Sequence, residues 1–211
     1  MTDTLIILGA GGHGRVVADC ALAEGKFSEI VFVDNTPGIV RTQVNGFPVI
    51  AASLDDLEAD PAFEKPRLHV AIGDNATRNK VSANLIAKGY HIASLRHPSA
   101  IIGSNVQVES GVVIMAGAIV QSGTQIGAGV VINTGAQVDH DGRIGAYSHV
   151  SPGAILAGHV TIGAQCWIGA GAVIRNGIRI GDHVTVGIGA AVTSNLVGEH
   201  DRFGGVPARK L

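Results

Sequence analysis

Aromatic residues make up only 4% of this 211-residue chain, charged residues only 15%, and cysteine occurs twice. Each shortage excludes something. With one tryptophan, two tyrosines and five phenylalanines, a bulky core of interlocking rings is disfavoured, and a narrow core of branched aliphatics is favoured. Charge is nearly balanced, Lys+Arg 15 against Asp+Glu 17, so there is no basic field for nucleic acid or anionic lipid. Cys20 and Cys166 are far apart and form no Cys-x-x-Cys pair, so neither a disulfide framework nor a metal centre is expected. The first apolar stretch, Leu5 to Leu8, is too short and lacks the basic leader of an export signal. No run approaches the ~20 apolar residues of a membrane span. The chain therefore reads as cytoplasmic, without membrane insertion.

Glycine is abundant, at 30 residues, and its placement is periodic. From Ile102 to Val192 every sixth residue is Ile, Val or Leu, sixteen in succession, and two residues before each stands a mostly small one, such as Ala118, Ala136, Ala154 or Ala172. On a strand of period two both positions face inward. The remaining pair of each hexad often holds Gly or Asn, as at Ser122-Gly123 and Asn176-Gly177, which suits a corner with unusual backbone angles. A six-residue period of this kind predicts a left-handed parallel β-helix, three hexads to a coil, over residues 97–195. About five coils at ~4.8 Å each give a column roughly 25 Å tall. Apolar residues assigned to its outer faces, among them Val113, Val131, Trp167 and Ile188, would make an isolated column poorly soluble, so a homotrimer is expected. The tail, 196–211, caps or leaves the last coil.

Residues 1–96 follow another pattern. Leu5 to Leu8 reads as a strand, His13 to Glu24 as a helix, Ile30 to Val33 as a strand, Leu68 to Ile72 as another, and Asn75 to about Ala87 as a second helix. Alternating strand and helix predict a small parallel, Rossmann-like α/β sheet. His97-Pro98 marks the boundary.

Gly9-Ala10-Gly11-Gly12-His13-Gly14 has the G-x-G-x-x-G spacing between a strand and a helix, with Asp34 at the end of the next strand. Such glycines let a backbone approach phosphate, the helix start offers free N–H groups, and the acid can accept from a ribose or base. A dinucleotide site would imply a dehydrogenase, but that fold needs a second half for which there is no room before the hexads. A single mononucleotide half suits a nucleotide-linked sugar better, and a tight turn without ligand remains the plain alternative. On the column, His140 and Asp141 occupy a corner after inward Val138, with Ser122 one coil below His140 and Gly158 one coil above. An exposed His beside an acid is often mere surface. In a cleft between columns it can serve as general base, with Asp141 fixing its tautomer. His149 is placed beneath Trp167, and His159 and His183 are expected to be solvated. A non-catalytic scaffold that trimerises a nucleotide-sensing domain is the rival from another class.

Taken together, Gly9 to Gly14, Val33-Asp34-Asn35, Ala71-Ile72-Gly73-Asp74-Asn75 with Arg78, Asn133-Thr134 before His140-Asp141, Tyr147-Ser148-His149-Val150-Ser151 and Gly205-Val206-Pro207-Ala208-Arg209 carry a resemblance over essentially the whole chain. It resembles the hexapeptide-repeat sugar acetyltransferases, the group of the bacillosamine-pathway and perosamine N-acetyltransferases and the sialic acid O-acetyltransferases. That resemblance implies acetyl-CoA as co-substrate and a nucleotide-linked amino sugar, used for a surface glycan, as acceptor. It implies His140 as the base and Asp141 as its support, where some relatives carry Glu. Gly11, Gly12, His13, Asp34, Asn35, Gly73 and Asn75 would hold the nucleotide-sugar. Asn133, His149 and the backbone near Ala170 and Ile188 would line the acetyl-CoA groove. Sugar O-acetylation, as on a sialic acid, is the close alternative.

Overall fold

The computed structural model describes residues 3–57 and 66–211. The chain divides into two compact units, Met1–Leu95 and Arg96–Leu211. In the first, β1 (Thr4–Leu8), β2 (Glu29–Val33), β3 (Gln43–Val44), β4 (Phe47–Ala51) and β5 (Arg67–Val70) form one sheet, accompanied by α1 (Gly12–Glu24) and α2 (Asn75–Ala87). The strand order is β3-β4-β2-β1-β5, with β1 parallel to both β2 and β5. Leu5, Ile6 and Ile7 are fully buried, as expected of a central parallel strand covered on both faces. Because chain segments leave β1 toward opposite sides of the sheet, a crevice opens at its carboxyl end, where Gly9 to Gly14 lie. On α1 the buried Gly14, Val17, Ala18 and Ala21 follow the spacing of a helix that packs one stripe inward.

The β3–β4 hairpin is not disclosed by the apolar runs. Its turn, Asn45-Gly46, has φ of 51° and 82°, the pair of left-handed residues that a two-residue hairpin requires.

In the second unit, two-residue strands recur every six residues from Ile101–Ile102 to Ala191–Val192, and each pairs in parallel with the strand one coil on. Ile119–Val120, for example, pairs with Gln137–Val138, and that strand with Ile155–Leu156. Val120, Val138, Leu156 and Ile174 form the inward row, with Ala118, Ala136, Ala154 and Ala172 beside them, all buried. The first coil has no coil beneath it, so Val108 is exposed. One corner residue in each hexad takes a left-handed backbone, for example Gly117, Gly123, Gly129 and Gly135, and Asp141, Tyr147, His159, Gln165 and His183 take it without being glycine. The tail caps the column: Arg202–Gly204 pairs with Thr185–Val186, then turns back against Arg209–Lys210.

A buried polar cluster in the first unit makes its stability depend on pH. His69 of β5 donates from Nδ1 to Ala93 O at 2.9 Å and is 1% exposed. Burial pushes it down to about 4, with the charge of Arg78 adding to the effect against the Ala93 hydrogen bond. His13 is likewise pushed down to about 4, first by burial and then by His69 and Arg78. Both folded-state values lie below the unfolded one. Their contribution is therefore complete above about pH 6.5 and is lost as pH falls toward 4, on the order of 3 kcal/mol for each group. The far-UV helix signal, which comes from α1 and α2, is expected to be lost at progressively lower urea over that window. The His69→Asn variant, which no longer takes up that proton on unfolding, should show a flatter dependence.

Candidate functional site

His140 and Asp141 sit in the corner between the strands Gln137–Val138 and Arg143–Ile144. The His140 backbone N–H is tied to Asp139 Oδ1 at 2.8 Å, and the Asp141 N–H to Ser122 O at 2.9 Å in the coil below. The His140 Nδ1–H donates to Asp141 Oδ2 at 2.9 Å, which leaves the lone pair on Nε2. That hydrogen bond is the main reason the imidazole is held above its ordinary pKa, with the charges of Asp139 and Asp141 adding to it. The same bond, helped by the charge of His159, holds Asp141 below the usual carboxylate range. The pair needs glycine above and below it. A Cβ on Gly158 would lie 2.6 Å from His140 Nε2. His159 is more than a solvated side chain: its Nε2 lies 3.9 Å from Asp141 Oδ2, and its ring meets that of His140 edge-on, with centroids 5.0 Å apart.

Asn133, Ala170 and Ile188 belong to a different corner of the coil, the one preceding the strands Gln137–Val138, Val173–Ile174 and Ala191–Val192 respectively. Asn133 Oδ1 accepts from the Thr134 N–H at 2.8 Å, which orients its Nδ2 to donate to His149 Nε2 at 2.9 Å. His149 is buried and packs against Trp167 at a centroid distance of 4.3 Å, as its place one coil below requires. Ala170 and Ile188 are exposed and stacked one coil apart, linked through Gly189 N–H to Ala170 O at 2.9 Å.

Between these two corners runs one outward row, Ile101, Ile119, Gln137, Ile155, Val173 and Ala191, and it is the apolar one. Ile101 is 59%, Ile155 38% and Val173 45% exposed. The row on the next sheet, Gln107, Gln125, Arg143, Thr161 and Arg179, is polar. Val113 and Val131, which the hexads place on the outer surface, are buried on the third sheet, whereas Trp167 on that sheet and Ile188 at the corner are exposed as expected.

In the first unit the glycines divide into two kinds. Gly9, at φ 103°, and Gly14, where a Cβ would lie 1.9 Å from Gly9 O, are required by the chain itself. A Cβ on Gly11 meets nothing within 4 Å, and Gly12 and Gly73 are nearly or wholly as open. Asp34 closes the loop: Oδ2 accepts from the Ala10 N–H at 2.7 Å and Oδ1 from the Thr36 N–H at 2.8 Å. Burial alone would raise its pKa, but these bonds outweigh it and hold the carboxylate below its usual range. Asn75 is drawn inward, its Oδ1 accepting from Arg78 Nη2 at 2.8 Å, while Nη1 holds the Ile72 and Gly73 carbonyls. An open cavity of about 630 Å³ lies at the carboxyl ends of the strands, lined by Leu8, Val33, Asp34, Asn35 and Ile72. Its far wall, Ser53, Lys80 and Lys88, escaped the motif reading. The signal was present in Lys80, Asn84 and Lys88, four residues apart on one face of α2.

Neither thiol is placed for chemistry. Burial pushes Cys20 up to about 12 and Cys166 up to about 11, so neither offers a thiolate nucleophile near neutrality.

Residues 4–85 match the PglD N-terminal domain, and 99–134 with 159–194 match the bacterial transferase hexapeptide repeat. The acetyltransferase domain of PglB from Neisseria gonorrhoeae FA1090, solved in complex with acetyl coenzyme A, is 39% identical over all of both chains, with a TM-score of 0.92. The chain belongs to the hexapeptide-repeat sugar acetyltransferases with a PglD-type N-terminal domain. PerB from Caulobacter crescentus, solved with CoA and GDP-perosamine, is 36% identical over 99% of this chain and 97% of that one, with a TM-score of 0.87. GDP-perosamine N-acetyltransferase of Escherichia coli O157:H7 is 30% identical over 117 residues; the match spans about half the length of that curated relative. The Gly9 to Gly14 turn lies within the first of these matches, and His140 falls between the two matched hexapeptide stretches.

Proposed function

We propose that this acetyltransferase-family protein transfers an acetyl group from acetyl-CoA to the amine of a nucleotide-linked amino sugar, with His140 as general base. The observation that carries the reading is the tautomer set at the corner: Nδ1–H is committed to Asp141, so Nε2 presents a lone pair from an exposed imidazole of raised basicity. The amine nitrogen attacks the thioester carbonyl carbon and a C–N bond forms. The amine proton passes to His140 Nε2, the C–S bond breaks, and the departing sulfur takes up the proton as CoA thiol. The raised pKa values of both cysteines favour this direct transfer over an acyl-enzyme.

A homotrimer belongs to the same proposal. The base and the residues expected to line the acetyl-CoA groove stand at different corners of one column, on either side of the apolar row. Packing that row against a second column would bring a corner of one subunit to the other corner of its neighbour. Gly11, Gly12, His13, Asp34, Asn35, Gly73 and Asn75 are assigned to the nucleotide-sugar, with Asp34 and Asn35 at the cavity itself. The tethering of Asp34 to Ala10 and Thr36 assigns it first to holding the loop that receives the phosphates. No helix among the described residues is long and apolar enough to cross a membrane. The buried thiols, neither in a disulfide, favour a cytoplasmic enzyme.

Thermal-shift titrations with UDP-, GDP-, CMP- and dTDP-linked sugars, with and without acetyl-CoA, test the reading. One nucleotide-sugar series and acetyl-CoA should each raise the melting temperature, whereas stabilisation by NAD alone would point to a dehydrogenase. In the Gly11→Val variant, whose side chain enters open space, nucleotide-sugar binding should weaken by about tenfold or more, a loss of at least about 1.4 kcal/mol, with acetyl-CoA binding intact. Equal loss of both would overturn the assignment of the two ligands to separate regions.

A further inference from the structure

His159 occupies a corner position of left-handed backbone that other hexads fill with glycine and also with Asn105, Asp141, Tyr147, Gln165 and His183. Its φ is 58°, the left-handed backbone taken by Gly123 in the same corner two coils below and by Gly177 in the coil above. A side chain other than Gly or Asn costs about 1 kcal/mol or more there, and such residues persist where surrounding structure or function holds them. The register explains what it meets. Its backbone N–H is fixed to His140 O at 2.9 Å, so the ring is delivered directly over the His140-Asp141 pair. The Asp141 oxygen that accepts from His140 Nδ1 at 2.9 Å is the same oxygen that lies 3.9 Å from His159 Nε2. The two imidazoles meet at 88°, so the His159 ring also blocks one direction in which His140 could swing.

We propose that His159 is a positioning residue of the acyl-transfer centre, holding Asp141 and the His140 ring in the orientation that aims Nε2 at the acceptor amine. The inference rests on His140 being the base. His159 touches neither reacting partner in this role; it acts through Asp141 and through the edge-on ring contact.

Two substitutions test the contact and its rescue. Asn accepts the left-handed backbone at this corner and is too short to reach Asp141, so His159→Asn removes the contact from a chain that still folds. His159→Gln keeps the reach and a hydrogen-bond donor but cannot become cationic. For His159→Asn, kcat is expected to fall by about tenfold, with the KM for acetyl-CoA within twofold of the parent, since misdirected bases cost rate rather than donor binding. His159→Gln recovers most of that loss. An unchanged kcat in His159→Asn, or a loss that His159→Gln does not recover, would overturn the proposal. Measuring His140→Ala in parallel keeps the two readings apart: a large loss there with no effect at position 159 refutes the positioning role alone, while near-parent activity in His140→Ala refutes the base on which it rests.

Discussion

Replacing His140 with alanine is expected to lower kcat by about 10²-fold or more while leaving acetyl-CoA affinity nearly unchanged, because a general base typically contributes 10² to 10⁴ and does not bind the donor. The direction of the pH dependence follows from the structure. His140 must be neutral to accept the amine proton, and its hydrogen bond to Asp141 raises its pKa. Activity is therefore lost as pH falls through a value above the ~6.5 of an ordinary imidazole, and the alanine variant lacks that inflection. Asp141→Asn should do less and shift the inflection downward, since it retains the left-handed backbone at φ 57° and loses the charge that favours the imidazolium. Steady-state kinetics across pH checks both. A fall of only two- or threefold in His140→Ala would mean that the amine arrives neutral and that positioning alone carries the reaction.

An aspartate at Ile155 or Val173 is expected to dissociate the proposed trimer and abolish activity together. Both side chains belong to the exposed apolar row, and each large aliphatic buried there on assembly would contribute about 1.5–3 kcal/mol per subunit. Replacing one with a carboxylate removes that gain and adds an unpaired charge to the interface. Three copies carry the change, so the effect multiplies. Sedimentation equilibrium should show a trimer for the parent and a monomer for Ile155→Asp, with the far-UV spectrum unchanged because the row points away from the core. Arg179→Asp, on the polar row, should leave the trimer intact. A parent protein that is monomeric at micromolar concentration would remove the site from between columns. An Ile155→Asp monomer that retains full activity would show that one column suffices.

The solenoid could be read from the chain because its rule is local. Inward Ile, Val and Leu every six residues, with a small residue two before each, define strand, corner and stacking together, and pairing one coil on follows once three hexads close a turn. The neighbours of His140 came from the same arithmetic: Gly158 lies above it, and a Cβ there would strike the imidazole. The next step of that arithmetic, His159 above Asp141, was equally available, yet a histidine outside the inward row looks like any solvated side chain until its distance to the carboxylate is known. The N-terminal strands β1, β2 and β5 were visible through Leu5 to Leu8, Ile30 to Val33, and Leu68 with Val70, whereas β3 and β4 were not. Their turn signal, Asn45-Gly46, follows the two-residue β3, and the apolar run of β4, Phe47–Ala51, carries Pro48, which argues against a strand until its pairing with β2 and β3 is known.

Composition and period thus determined a two-part chain with a stacked aliphatic column, a glycine turn after the first strand, and an exposed His-Asp pair at a corner. Tertiary structure alone decided which outward row is bare. Val113 and Val131 look as exposed in the hexads as Ile155 and Val173, because position in the repeat fixes only inward or outward direction, whereas burial is set by contacts that exist only after folding. It also decided that Asp34 spends both oxygens on Ala10 and Thr36, and that Asn75 is turned inward by Arg78. Such choices depend on hydrogen bonds between segments that approach only after folding, and a linear spacing does not encode which of several nearby donors a carboxylate or amide will take.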